Sequence, residues 1–342
     1  MSELQSDIVV SSRIRLARNY FDLPFSNVTH SENAKTCITR ASSALCLAEE
    51  ESASNHTFTL HTLREMSATN RIALMEEHLI SMDLLQNNQV SAALVRDDQS
   101  VSVMINEEDH LRIQAMLLGM RLEDAARMAF DVEGKLQSQC AFSFDPQLGY
   151  LTACPTNTGT GMRASLMLHL PLLAFAKQMG NVTQSVAKLG LTIRGIYGEG
   201  SEAQGDLYQV SNQVTLGRTE KEIMEAVTAV GKQLIDMERT LRSRAIQEAN
   251  LSLQDRVFRS YGLLRHARLM NTKDFMEHWS SLRLGVSLEM LPVRLAVVNE
   301  LLSIAQDAHA KQYRLEHPSI LSTDQARCEI IRAKLNSESQ EV

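Results

Sequence analysis

Cys154-Pro155-Thr156-Asn157-Thr158-Gly159-Thr160-Gly161-Met162-Arg163 is the stretch on which the reading of the fold turns. It brings a thiol, two closely spaced glycines and an arginine into one short segment. Gly159 and Gly161 let the backbone approach a ligand closely, or simply turn the chain. From Met162 to Gln178 the spacing predicts a helix, kinked or broken at Pro171, because proline lacks the N–H and crowds the preceding turn. The N-terminus of such a helix, following the glycine-rich loop, would aim free N–H groups at an anion. Two other segments have the same character: Asn106-Glu107-Glu108-Asp109-His110-Leu111-Arg112 and Arg194-Gly195-Ile196-Tyr197-Gly198-Glu199-Gly200. Each pairs carboxylates with arginines where the chain should turn. Arginines hold phosphates, and carboxylates hold a cation or take a proton. The three segments together point to phosphoryl transfer to a basic acceptor.

Outward from these segments, the first two-thirds of the chain mixes short β-like runs with helices. Strands are expected at Asp7–Arg13, Thr57–Leu63, Ala92–Val95, Val101–Ile105, Tyr150–Ala153, Leu191–Ile196, Leu207–Val210 and Val214–Leu216. The Asp97-Asp98 turn between two apolar runs suggests a hairpin, and Ser211-Asn212-Gln213 a second. Antiparallel pairs of this kind favour an α+β fold over a doubly wound parallel sheet. Asn70–Ile80 has helical spacing. From Glu220 to about Leu335 strand signals vanish and helical patterns dominate. Glu238 and Arg242, at i,i+4, read as support for an exposed helix. The expected division is a catalytic domain over 1–240 and a helical C-terminal domain over 241–342.

Composition narrows the function classes. The 342 residues carry a formal net charge of −7, against a general nucleic-acid binder. No run is long and apolar enough for a membrane span, and the N-terminus lacks the pattern of a signal peptide. Cys37, Cys46, Cys140, Cys154 and Cys328 are an odd number without a CxxC pair. They fit a reducing cytoplasm and give no metal-site signal.

The common ATP motifs are absent: no GxxxxGK[ST] loop, and neither the His-Arg-Asp loop nor the Asp-Phe-Gly motif of the usual protein kinases. Arginines would have to hold the phosphates. Arg13 and Arg15 alternate along the first strand and should share a face. They suit bidentate phosphate binding, though by spacing alone they also read as solvated strand residues. Glu107, Glu108 and Asp109 follow a strand, and one of them could orient an acceptor or act as a base. The alternative is an acidic turn capping a helix. Cys154 reads either as a thiolate helping to hold a cation or as a buried structural cysteine. Glu199, between glycines, reads as an exposed loop residue, and His78 as a helix-surface or core histidine rather than a ligand.

Taken as a set, NEEDHxR, CPxNxGTGxR and the RG-loop resemble the phosphagen (guanidino) kinase family. Within it, the chain looks like the bacterial protein-arginine kinases of the McsB type. The resemblance rests on DIVVSSRIRLARN (Asp7–Asn19), HLIS (His78–Ser81), CPTNTGTGMRAS (Cys154–Ser165), RGIYGEGSEA (Arg194–Ala203), SNQVTLG (Ser211–Gly217) and DRVFRSYG (Asp255–Gly262). It implies a phosphagen-kinase-like antiparallel sheet flanked by helices, an all-α C-terminal domain, and transfer of the ATP γ-phosphoryl group to protein arginine, with Mg²⁺. By motif match it implies that Arg13, Arg15, Arg112, Arg163 and Arg194 grip the phosphates. Ser11, Ser12, Ile14, His78, Ala164, Ser165, Leu166, Met167, Gly195, Ile196, Tyr197 and Gly198 fall in segments lining the nucleotide. Glu108 and Glu199 match the carboxylates that clamp the acceptor guanidinium, and Cys154 the family's site thiol. No protein ligand to a metal is implied.

The resemblance further implies protein substrates with exposed arginines, marking for Clp-type proteolysis, control of a CtsR-type heat-shock repressor, an McsA-type activator, and a cytoplasmic homodimer. Two departures stand out. The first catalytic-type strand begins near residue 7 with no helical domain before it, which would leave the acceptor side open to a large substrate and so favour a protein arginine over the free amino acid. The RDxxRA motif of the family's phosphoarginine pocket reads Thr323-Asp324-Gln325-Ala326-Arg327-Cys328 here, so Asp324 and Arg327 match but one guanidinium is missing. Weakened or rearranged product sensing is the expectation. A kinase for free arginine, or a phosphoarginine-binding adaptor without catalysis, are the alternative readings.

Overall fold

The computed structural model describes residues 5–25, 31–46, 56–86, 89–195, 204–248 and 250–338. In chain order the elements are β1 (Val9–Arg18), α1 (Ser31–Cys46), β2 (Phe58–Thr62), α2 (Ala68–Glu76), α3 (Met82–Gln86), β3 (Ala92–Arg96), β4 (Val101–Ile105), β5 (Leu111–Leu118) and α4 (Leu122–Gln139). A small ribbon, β6 (Phe144–Asp145) and β7 (Gly149–Tyr150), precedes β8 (Met162–His169), α5 (Pro171–Phe175), α6 (Met179–Ala187), β9 (Leu191–Gly195) and β10 (Leu207–Asn212). Helices follow to the end: α7 (Glu220–Gln247), α8 (Leu251–His266), α9 (Thr272–Ser287), α10 (Leu295–Ile304), α11 (Asp307–Glu316) and α12 (Thr323–Glu338).

Eight strands form one sheet in the order β2-β3-β4-β5-β1-β8-β10-β9, every neighbouring pair antiparallel. The α+β expectation therefore holds, and the Asp97-Asp98 hairpin joins β3 to β4. The helix expected from Met162 does not form. Met162–His169 is instead a central strand, paired with β1 on one side and β10 on the other. Its alternation explains why. Met162, Ala164, Leu166 and Leu168 are buried on one face, while Arg163, Ser165 and Met167 point to the other. Only Pro171–Phe175 is helical, with Pro171 in the first turn, where its missing N–H costs nothing. Val214–Leu216 and Ala153 are not in strands, and the turn expected at Ser211–Gln213 is largely the end of β10.

The two faces of the sheet differ sharply. Ile14, Leu16, Ile113, Ala115, Ala164, Leu166, Ile193 and Val210 line one face, all buried, in a core completed by α4 and α7. Gly231 of α7 faces Leu166 so closely that a Cβ there would lie 2.4 Å from its Cδ1, so glycine sets how near the helix lies to the sheet. On the other face, Leu63, Leu79, Ile80 and Leu84 pack on Ala93, Val95 and Met104. That small core fixes the segment from α2 to α3 beside the polar centre of the sheet. A third core, around Phe275, Trp279, Val298 and Ile331, joins the C-terminal helices to Val10 and Leu207 of the sheet.

The Glu238–Arg242 pair lies in this packed region and is not an exposed support. Both side chains are buried, and the Glu238 carboxylate accepts from the N–H groups of Leu172 (3.2 Å) and Leu173 (3.0 Å) at the start of α5. α7 runs unbroken through residue 240, opened by a capping box between Thr219 and Glu222. Among the described residues no helix is long and apolar enough to cross a membrane.

Candidate active site

Register gathers the arginines. Arg15 of β1 lies opposite Gln114 of β5 and Arg163 of β8, while Ala17 lies opposite Arg112. Ser165 lies opposite Arg13 and Ser211, and Gln209 opposite Met167 and Arg194. Directly opposed residues share a face, so Arg112, Arg13, Arg15, Arg163 and Arg194 stand together on the side away from the main core. Burial and the neighbouring Arg163 and Arg112 lower the Arg13 guanidinium to about 10. The same causes, with Arg13 itself, hold Arg15 well below its usual value. Arg15 Nε is buried without an acceptor among the described residues. Guanidiniums crowded this way favour a polyanion bound among them.

Carboxylates close the β5 edge of this face. Glu107 Oε1 accepts from Arg112 Nη1 at 2.6 Å and from the Ser81 hydroxyl, and Ser81 Oγ in turn caps the N–H of Leu84 at 3.0 Å. Burial raises the Glu107 carboxyl against the pull of Arg112 and Ser81. Glu108 is more exposed. Its Oε2 lies 3.7 Å from Arg112 Nη2 and 3.5 Å from Asn157 Nδ2. Asp109 and His110 serve the frame. Asp109 Oδ1 accepts from Asn19 Nδ2 and from the N–H of Ala153, both at 2.7 Å, and His110 accepts from the N–H of Tyr20 at 3.1 Å and contacts the carbonyl of Pro24 at 2.8 Å. The end of β1, the acidic loop and the Cys154 loop are thereby tied at one point.

The glycine loop does not open a helix; it feeds β8. Gly161 has φ +60°, and a Cβ there would lie 2.7 Å from the carbonyl oxygen of Ala17. Thr215 Oγ1 donates to the carbonyls of Thr156 and Thr158 at 3.0 and 2.7 Å, folding the loop over the strand end. Asn157 thus faces Glu108, and Cys154, partly exposed, sits 3.0 Å from the Thr156 hydroxyl. His78 has left-handed φ (60°), its carbonyl accepts from Gln114 Nε2 at 2.6 Å, and burial and Arg13 push its imidazole down to about 4. It is a neutral group beside the arginine face, not a helix-surface histidine.

The remaining expected positions divide by face. Ser11, Ser165 and Met167 share the arginine side. Ser12, Ile14, Ala164 and Leu166 point the opposite way: Ser12 Oγ is buried between the carbonyl of Gly119 and the N–H of Arg121, both at 2.8 Å, and the other three are in the main core. Gly195 ends β9, and Ile196, Tyr197, Gly198 and Glu199 lie outside the described residues. Asp324 and Arg327 are far along the chain in the helical region. Arg327 is fully buried, with hydrogen bonds from Nε to Ala305 O (2.7 Å), from Nη1 to Met270 O (2.7 Å) and Asp324 Oδ1 (2.8 Å), and from Nη2 to Thr272 Oγ1 (2.9 Å) and Asp307.

Sequence reading passed over Ser81, Glu107 as a buried ion-pair partner, Asn157, Gln114 and Gln209. The alternating Arg163 and Ser165 were the signal for a strand at β8, and with it the register that adds Gln209 and Ser211 to the same face.

Residues 39–241 match the family model for the C-terminal catalytic domain of ATP:guanido phosphotransferases, and residues 250–342 match that for the C-terminal domain of the protein-arginine kinase McsB. A protein-arginine kinase of Caldanaerobacter subterraneus subsp. tengcongensis is 43% identical over 98% of this chain and 99% of its own length. Another, from Syntrophomonas wolfei, is 42% identical over 97% of this chain and 93% of its own. Among solved structures, lombricine kinase superposes with a TM-score of 0.60 at 26% identity, over 70% of this chain and 68% of that one. The duplicated taurocyamine kinase from Schistosoma mansoni, with bound transition-state-analogue components, gives 0.61 at 27% identity over 72% of this chain and 35% of that one. An arginine-lined antiparallel sheet, an acidic loop at its edge and matches spanning nearly the whole chain place this protein in the protein-arginine kinase family, with an ATP:guanido phosphotransferase catalytic domain.

Proposed function

We propose that this chain transfers the γ-phosphoryl group of ATP to the guanidinium of arginine residues in proteins. The observation that carries the reading is the face of Arg13, Arg15, Arg112, Arg163 and Arg194, bordered at one edge by Glu108. The donor set fits a nucleotide: guanidiniums for the phosphates, and a buried Arg15 Nε with no acceptor among the described residues. Mg²⁺ would come held mainly by the phosphates, where it screens their charge. The acceptor guanidinium is protonated at neutral pH and is a poor nucleophile. Glu108 would hold it by charge-assisted hydrogen bonds and take one proton as a guanidinium nitrogen bonds to the γ-phosphorus. The bond from that phosphorus to the bridging oxygen breaks, and ADP leaves with the electron pair. Glu199 is assigned the second hold on the acceptor by motif match. Positioning and charge stabilisation supply most of the rate.

The wider role belongs to the same proposal and rests on the resemblance. It comprises a catalytic unit over 1–240, a helical unit over 241–342 for dimerisation and phosphoarginine binding, a cytoplasmic location, an McsA-type activator, a CtsR-type repressor as target, and delivery of marked proteins to Clp-type proteases.

The test is mass spectrometry, at non-acidic pH, of an arginine-rich protein incubated with this chain, Mg²⁺ and ATP, beside Glu108→Gln. Phosphate on arginine, reduced roughly 10²- to 10⁴-fold in the variant, is the expected result. Product on free arginine alone would make it a small-molecule kinase. No product on either, with activators supplied, would favour a binding adaptor.

A further inference from the structure

We infer that Gln209 is a positioning residue for the nucleotide: it fixes Arg13 across the sheet through a neutral acceptor and leaves the charge of that guanidinium to the phosphates. The inference rests on the reading of the arginine face as the ATP site.

Arg13 is on β1 and Gln209 on β10, with β8 between them. Two strand spacings, about 10 Å across the sheet, and two residues along β10 separate their backbones. The Arg13 side chain therefore lies down across β8, and its Nη2 donates to Gln209 Oε1 at 2.6 Å. A long, flexible arginine is held in one orientation by that contact, which limits the conformational entropy lost when a ligand binds. The chemistry of the acceptor matters as much as its place. Across the same face Arg112 meets a carboxylate, Glu107, at 2.6 Å, so much of its charge is already balanced. Gln209 offers Arg13 the same distance without the negative charge. Arg163 also reaches β10, with Nε 3.4 Å from the Ser211 hydroxyl. β10 thus presents neutral acceptors to this face, and the loop before β5 presents acids. The depressed Arg13 guanidinium is consistent with this division.

The test is equilibrium titration of the full chain with Mg²⁺-ATP. Gln209→Leu removes the acceptor, and Gln209→Glu keeps the geometry but adds a charge. Each is expected to weaken ATP binding about ten-fold, as loss or neutralisation of one charged hydrogen bond would. In turnover, the KM for ATP should rise while that for the protein substrate stays the same. In an Arg13→Met background, Gln209→Leu should cause no further loss. ATP affinity unchanged in both variants, or an undiminished Gln209→Leu effect without Arg13, would overturn the inference. Arg13→Met binding ATP as tightly as the unaltered chain would instead overturn the nucleotide reading beneath it. Should Gln209→Leu fail to fold, judged by thermal unfolding, the near-isosteric Gln209→Glu carries the test.

Discussion

On the sheet, Arg13 and Arg15 lie among other guanidiniums; in the helical region, Arg327 lies among oxygens. The two settings show how one residue type serves two ends. Arg327 places its N–H groups on Ala305 O, Met270 O, Thr272 Oγ1, Asp324 and Asp307, tying α12 to the start of α9 and the start of α11. In this structure it acts as a strut, each N–H group taken by an oxygen of the protein, so a phosphoarginine bound in this unit would have to displace one of these partners. On the sheet, burial and mutual repulsion drive the guanidiniums down, and Arg15 Nε has no acceptor among the described residues. That arrangement costs folding energy and makes sense where an anion completes it.

Removing the strut should be the costlier change to stability. Arg327→Met leaves the buried carbonyls of Ala305 and Met270 without their donor, while the half-exposed Asp307 and Asp324 return to water, and is expected to lower unfolding free energy by about 2–3 kcal/mol, read by urea denaturation. A loss below about 1 kcal/mol would erase the distinction between strut and ligand. The smaller prediction concerns the place where the two regions meet. Glu76, at the end of α2, accepts from the N–H of Ala308 at 2.9 and 3.1 Å and contacts His309 Nδ1 at 3.0 Å, while His309 Nε2 lies 3.0 Å from Glu77. Those two carboxylates raise the His309 imidazole from 6.5 to about 9. A folded-state value above the unfolded one stabilises fully below the unfolded value and fades as pH rises through the folded one. Unfolding free energy should therefore fall by about 1 kcal/mol between pH 6.5 and 9.5, and His309→Gln should flatten that slope. An identical slope in the variant would remove the clasp from the account.

The sequence carried the antiparallel plan and the sidedness of the first strand, because alternation in Arg13-Ile14-Arg15-Leu16 is a local property. It also carried the acidic loop after β4 and the helical run from Glu220. It misled at β8, where Met162, Leu166, Leu170 and Leu173 also fit helical spacing and a proline nearby supplied a break. The pairing of β8 with β1 and β10, a long-range fact, decides between the two patterns. Glu238 and Arg242 misled for the same reason: an i,i+4 ion pair looks the same in sequence whether it faces solvent or caps another helix. Gln209 was illegible because its partner lies two strands and 196 positions away. Glu199 and its loop were read from the sequence, and lie outside the described residues.

The most direct test is Arg15→Met, measured both by Mg²⁺-ATP titration and by urea denaturation. If the sheet arginines are ligands, ATP binding falls ten-fold or more, about 1.4 kcal/mol, while stability without nucleotide holds or rises as one repelling charge leaves. Unchanged ATP affinity together with a large loss of stability would make Arg15 a strut like Arg327 and contradict the account.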